Sequence, residues 1–236
     1  MENIAIFGAS GAIGQALARA VLAKYPDANL YLFSRKEVSN INKNTRSIAI
    51  DITSEESLAQ AAHGFEAVFD LILVTNGVLH TQTIHPEKSL QDLSLDKFET
   101  IFAINTFGPA LIAKYFLPKL LPKNRAIFAA LTSRVSSMED NSSGGWYSYR
   151  ASKAALTMIL KNASIEIARK NDQAIIVGLH PGTVDSALSK PYQKGLPEGQ
   201  IFTPNFSAQK LLTVIDGLTP MNSGKNIAWD GQTIPY

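Results

Sequence analysis

The sequence predicts an α/β fold: a single doubly wound domain over residues 1–236, with a mostly parallel seven-stranded sheet and helices on both faces. Three observations predict it. Short runs that are apolar throughout recur along the chain, and a strand without a polar face is buried on both sides. Longer segments with helical periodicity separate these runs, as parallel pairing through crossovers requires. The first apolar run ends in a glycine cluster that opens a helix, where such sheets bind ligands.

Asn3–Phe7 (NIAIF) is the first strand and feeds GASGAIG, a turn too glycine-rich for a helix or strand interior. A helix follows over Ile13–Lys24. Leu30–Phe33 is the second strand and Ser47–Ile50 the third, which ends at Asp51. Thr53–Ala62 reads as a helix with Thr53 as N-cap and glutamates in its first turn, where the helix dipole favours acids. Leu71–Thr75 is the fourth strand. Leu93–Lys119 carries one or two helices, ended by Pro118 and Pro122. Ala126–Leu131 is the fifth strand, Tyr149–Lys170 a long helix and Ala174–Leu179 the sixth strand. A loop bearing proline and glycine spans Pro181–Gln200, and residues 183–204 form a candidate lid. Phe206–Gly217 is a helix and Asn226–Trp229 the last strand. Nothing repeats internally, and no low-complexity linker divides the chain.

Composition narrows the function classes. A hydrophobic fraction of 45% and a charged fraction of 18% are those of a soluble globule. The net charge of +2 gives no drive toward nucleic acid or a membrane surface. Without cysteine there are no disulfides, thiolate metal sites or cysteine nucleophiles. The start MENIAIFGASG lacks a secretory pattern, and no apolar run approaches the ~20 residues of a membrane helix. A cytoplasmic location is therefore expected. His63, His80, His85 and His180 lack metal-site spacing and read as surface or loop residues, so no metal is expected.

In the turn Gly8–Gly14, glycines let backbone N–H groups approach a pyrophosphate, and the next helix offers its positive end. Gly8, Ser10, Gly11, Ile13 and Gly14 are thus candidate dinucleotide contacts, the signature of a Rossmann fold. Folds that prefer NAD usually end the second strand in an acid that holds the ribose hydroxyl. Here that strand ends in Ser34, Arg35 and Lys36. Arg35 is suited to clamp a 2′-phosphate, so NADP(H) is expected over NAD(H). Asp51, ending the third strand, either accepts from an adenine amino group or caps the helix after it.

The stretch GWYSYRASKAAL holds the chemistry. Lys153 lies four residues after Tyr149, about 6 Å along the same helical face. Tyr147, six residues before the lysine, faces elsewhere. A nearby ammonium favours the phenolate, so the spacing predicts a tyrosine of lowered pKa that exchanges a proton with a carbonyl or alcohol oxygen.

Tyr149-Arg-Ala-Ser-Lys153, followed by Ala-Ala-Leu, resembles the Y-x-x-x-K signature of the short-chain dehydrogenase/reductase superfamily. Further markers stand in order over nearly the whole chain. Gly8–Gly14 resembles the cofactor turn, and Asp51-Ile52 the adenine contact. Asn76-Gly77-Val78 stands where the family often has N-A-G. Asn105 opens Asn-Thr-Phe-Gly, like the family's N-x-x-G, and Thr132-Ser133 ends the fifth strand. Pro181-Gly182-Thr183-Val184 resembles the segment beside the nicotinamide. The stretches DNSSGGWYSYRASKAAL, LHPGTVDSALSKP and WDGQTIPY are similar to the C-factor-like branch, whose name comes from a cell–cell signal. Two departures stand out: Ala12 replaces the turn's middle glycine, and Tyr149 lies 16 positions after Ser133, more than is usual.

The resemblance implies Tyr149 as general acid/base and Lys153 as its tuner, which also binds the nicotinamide ribose. It implies Ser133 as partner of the substrate oxygen, with Ser136 and Ser137 as competitors, and Asn105 as holder of a water in a proton relay. It also implies a homodimer or homotetramer, paired through helices near residues 100–120 and 149–170. The expected activity is NADP(H)-dependent interconversion of a small carbonyl compound and an alcohol. The alternative is a dinucleotide-binding regulatory or signalling protein with little turnover. Leu188, Pro191, Tyr192, Leu196 and Phe202, with Trp146 and Tyr147, are candidate walls for an apolar or aromatic substrate. The same residues serve equally as ordinary packing.

Overall fold

The computed structural model describes residues 1–39, 41–120, 122–197 and 199–236. Its strands in chain order are Asn3–Phe7 (β1), Asn29–Ser34 (β2), Thr45–Ala49 (β3), Leu71–Val74 (β4), Ala126–Leu131 (β5) and Ala174–His180 (β6). Thr183–Val184 (β7), Ile201–Phe202 (β8), Asn226–Ala228 (β9) and Thr233–Ile234 (β10) follow. One sheet takes the order β10-β9-β6-β5-β4-β1-β2-β3. The seven expected strands run parallel within it, and β10 adds a short antiparallel edge. β7 and β8 pair separately as a small parallel ribbon inside the expected lid segment, of which Glu198 lies outside the described residues.

The order turns back between β1 and β4. The chain builds outward from β1 through β2 to β3, then returns to β1's other side and builds through β4, β5 and β6. The carboxyl ends of β1 and β4 therefore flank a crevice, the place where a doubly wound sheet takes its ligand.

Alternation along β1 shows how each face is covered. Ile4 and Ile6 join a core with the helices Ala12–Lys24 (α1) and Pro204–Gly217 (α6). Ala5 and Phe7 join the opposite core, with Glu55–His63 (α2), Gly108–Phe116 (α4) and Tyr147–Ala168 (α5). Phe7 and Phe33 stack there at 4.3 Å, and Phe116 meets both edge-on.

Several boundaries differ from expectation for local reasons. The cap of α2 is Ser54, whose side chain accepts from the Ser57 N–H, while Thr53 is held by the Asp51 carboxylate. Helix α5 begins at Tyr147 and ends at Ala168. Leu95–Phe102 (α3), a π turn over Ala103–Phe107 and α4 form one stacked rod. Pro109 explains the turn: it has no N–H to return to the Asn105 carbonyl, so the α ladder breaks there. Contrary to expectation, Leu95–Lys119 is long and apolar enough to cross a membrane by length and composition; half of its most apolar window is buried in the fold.

The aromatic core yields a first prediction. Phe116 is fully buried, so Phe116→Ala is expected to cost about 3–5 kcal/mol, read as a lowered urea midpoint with an unchanged slope.

Candidate active site

The glycine turn is dictated by close approach. Gly8 takes a φ of +80°, and a Cβ there would lie 2.8 Å from Thr75 Oγ1. A Cβ on Gly14 would lie 2.4 Å from the Gly8 carbonyl oxygen, so only glycine lets α1 start this close to the turn. Gly11 is the cap residue of α1 and supplies no side-chain acceptor, and the first turn of the helix holds no acid. Its N–H groups and positive dipole are thus open to an anion, with no side-chain acceptor of the helix competing. Ser10 is exposed and gives its carbonyl to Gln15, while Ile13 lines the cleft beyond. At the end of β4, the buried Asn76 Oδ1 has no hydrogen-bond partner among the described residues. Bare helix turn, obligatory glycines and waiting amide fit a dinucleotide phosphate and its neighbouring groups.

At the outer end of the crevice the expected contacts divide. Arg35 is exposed just beyond β2. Ser34 is buried and its hydroxyl donates to the Lys36 carbonyl, so it is already spent. Asp51 is held below the usual carboxylate range, chiefly by the Thr53 N–H and then by the Thr53 hydroxyl, with Arg35 contributing least. It closes a turn and does not cap α2. Ile52 is core, packed so closely that a Cβ on Gly108 would lie 2.8 Å from its Cδ1.

Ser133, Tyr149 and Lys153 line one cleft of ≈ 630 Å³ with Asn76 and Gly77. Pro181, Gly182, Thr183 and Val184 form its other side. The Ser133 hydroxyl lies beside that of Tyr149 and favours its phenolate. Ser136 turns its hydroxyl onto the Ser133 carbonyl and Ser137 onto that of Tyr236; of the three, Ser133 lines the cleft. Lys153 Nζ donates to the Leu131 carbonyl at 2.8 Å. Asn105 sits in the π turn, fully buried. Its amide exchanges two 2.8 Å bonds with the Val78 backbone and donates to Ser152 Oγ at 3.1 Å. Gly77 stands beside both: a Cβ there would make ordinary contacts with Lys153 Nζ at 3.4 Å and Asn105 Oδ1 at 3.7 Å.

Burial sets the electrostatics. It pushes the Tyr149 phenol up to about 12, against the Ser133 hydroxyl, which favours the phenolate. It also pushes the Lys153 ammonium down to about 8. The expected lowering of Tyr149 by Lys153 is therefore not found: the ammonium is itself desolvated and turned to Leu131, so desolvation wins at both groups.

Trp146, Leu188, Tyr192 and Leu196 line the cleft as expected, while Tyr147 and Pro191 stand outside its lining. Phe202 packs instead on Trp229 and Phe206, and a Cβ on Gly182 (φ +78°) would lie 2.5 Å from its ring. The lid is tied down by rings: Tyr192 meets Trp146 at 5.2 Å and His80 at 5.7 Å, and His80 Nε2 bonds the Ala187 and Leu188 carbonyls.

His180 is a site residue that sequence reasoning passed over as a surface or loop histidine. It ends β6 inside the cleft, and its buried Nδ1 has no partner among the described residues. Burial first, then Arg134, push it down to about 4, with Asp230 opposing. The missed signal was its place at a strand's carboxyl end, directly before Pro181.

Comparison with known proteins agrees with this geometry. The family model for short chain dehydrogenase matches residues 2–196. A 1-hydroxy-2-glutathionyl-2-methyl-3-butene dehydrogenase from Rhodococcus sp. (strain AD45) is 34% identical over 188 residues, covering 79% of this chain and 78% of its own. The C-signal protein of Myxococcus xanthus is 33% identical over 148 residues, covering 63% of this chain and 84% of its own. The carbonyl reductase Sniffer of D. melanogaster superposes at a TM-score of 0.85 and 20% identity over the whole of both chains. The NADPH-bound carbonyl reductase from chicken fatty liver gives 0.82 at 21% identity, covering 100% of this chain and 99% of that one. At such identities these two structures speak to the fold.

The state of His180 has a measurable consequence. The unfolded chain binds its proton below about 6.5 and the folded chain only below about 4, so stability is lost as pH falls through that window. The loss is on the order of 3 kcal/mol, and His180→Gln is expected to flatten it in urea midpoints taken from about pH 7 to 4.

Proposed function

The chain belongs to the short chain dehydrogenase family and is an NAD(P)-dependent oxidoreductase; from that premise we propose that it interconverts a carbonyl compound and an alcohol with NADP(H), with Tyr149 carrying the proton. One observation carries this reading. Tyr149, Ser133 and Lys153 line one cleft, and burial holds the phenol protonated at neutral pH, with its value pushed up to about 12.

When bound, the nicotinamide supplies or accepts the hydride. The chain's own residues do the rest. Ser133 holds the substrate oxygen by its hydroxyl. Tyr149 gives that oxygen its proton in reduction and takes it back in oxidation. Lys153, when charged, stabilises the phenolate that proton donation leaves behind. Asn105 ties the loop after β4 to α5 through Val78 and Ser152, and its main-chain carbonyl, lacking a donor at Pro109, is the acceptor offered to a proton relay with Lys153. The first turn of α1, brought close by Gly8 and Gly14, would hold the pyrophosphate, and Arg35, exposed at the end of β2, a ribose 2′-phosphate. The rings of Trp146 and Tyr192 favour an apolar or aromatic carbonyl compound. Exposed Phe107, Met158 and Ile165, on the π turn and α5, support a homodimer or homotetramer paired there.

The likeness to the C-signal protein favours a second reading, a dinucleotide-binding signalling protein with little turnover. A panel of aldehydes, ketones and quinones with NADPH separates the two. Turnover that Tyr149→Phe abolishes while NADPH binding survives, with Tyr147→Phe doing much less, carries the enzyme. Tight NADPH binding without turnover in the natural protein carries the signal. Two further outcomes follow from the charges. Arg35→Ala is expected to weaken NADPH binding about tenfold or more with little effect on NADH, read by fluorescence titration. Because Lys153 loses its proton above about 8, log kcat/KM for reduction is expected to fall as pH rises through that value.

A further inference from the structure

The start of α5 is strained and has no cap of its own. Gly144, Gly145 and Trp146 take consecutive φ values of +61°, +63° and +50°, and a left-handed conformation is unfavourable for a bulky residue such as tryptophan. Trp146 occupies the cap position and gives no side-chain bond to the first turn. Another segment supplies it. The Trp146 N–H donates to the Glu87 carbonyl, and the Ser148 N–H donates to Glu87 Oε2 at 3.2 Å across 61 residues of sequence.

Glu87 is wholly buried, and none of the ion pairs among the described residues includes it. Its Oε1 has no hydrogen-bond partner among the described residues. A carboxylate buried without a cation is costly, and the compensation here is the positive end of α5. Gly145 suits the turn by its φ of +63°, and a Cβ there would lie in ordinary contact with the Glu87 carbonyl oxygen at 3.4 Å. From the other side, Arg150 Nε donates to the Gly144 and Gly145 carbonyls and its guanidinium to that of Val135. The left-handed turn is thus clamped from two directions.

What the clamp aims is the site. The Trp146 ring stands 6.2 Å from the Tyr149 ring and 5.2 Å from that of Tyr192. We propose that Glu87 is a positioning residue: capping α5 from outside the helix, it holds Trp146 in its left-handed conformation and sets the first turn so that the Tyr149 hydroxyl meets Ser133. This rests on Tyr149 as the proton donor, and it adds a residue that touches neither substrate nor cofactor.

The test compares Glu87→Gln, Glu87→Asp and Glu87→Ala in the full chain by amide hydrogen exchange at residues 146–152, NADPH affinity, and kcat against KM. Glutamine keeps length and acceptor, so it should retain kcat to within about threefold. Aspartate keeps the charge but draws the acceptor back, and alanine removes it. Both should lower kcat by about 10- to 100-fold, leave NADPH affinity unchanged, and speed exchange at Trp146 and Ser148 ahead of the rest of α5. Full kcat and full protection in Glu87→Asp would overturn the proposal, even if Glu87→Ala does not fold. So would exchange quickened evenly along α5 together with loss of NADPH binding, the mark of general destabilisation. If the natural protein turns over no carbonyl, the proton-donor reading fails, and the exchange at Trp146 and Ser148 still decides whether Glu87 is the cap.

Discussion

The contact between Lys153 Nζ and the Leu131 carbonyl is the fastening on which the site depends. It pins one turn of α5 to the last residue of β5. Tyr149 lies four residues earlier on the helix, about 6 Å along its axis, and Ser133 lies two residues later on an extended backbone, about 6.6 Å further on. The two pitches nearly match. Once the lysine is fastened at the strand end, the tyrosine hydroxyl falls against the serine, and the cleft has its pair of hydroxyls. The same fastening draws the ammonium out of water, which explains why one burial shifts both groups toward their neutral forms.

Most of this was legible because the signals are local. The glycine turn, the apolar strands and the Tyr149–Lys153 spacing all lie within a few residues, and backbone geometry converts each directly into a place in the fold. The direction of the tyrosine's pKa was not legible, because it depends on how completely α5, β5 and the lid exclude water. Thr53 and Ser54 are both good caps by chemistry. The Asp51 side chain decided between them by taking Thr53. His180 looked ordinary until β6 carried it into the cleft. Glu87 offered no signal at all, since its partner is 61 residues away and its neighbours resemble any polar loop.

Asn105 shows both sides of this. Its family-like position was readable, and Pro109 four residues later was an available clue that the helix does not run regularly there. Within the π turn that results, the side chain is a brace between Val78 and Ser152.

That extra residue also acts as a gear between two lengths of the same rod. One residue advances a helix by about 100°, so the insertion at 103–107 turns α3 by that angle against α4. Deleting a single residue from the turn would swing the buried stripe of α3 toward solvent and carry its polar flank inward. The rod's outer surface, where a second subunit is proposed to pair, is therefore set in angle by the same turn that braces the loop after β4 against α5.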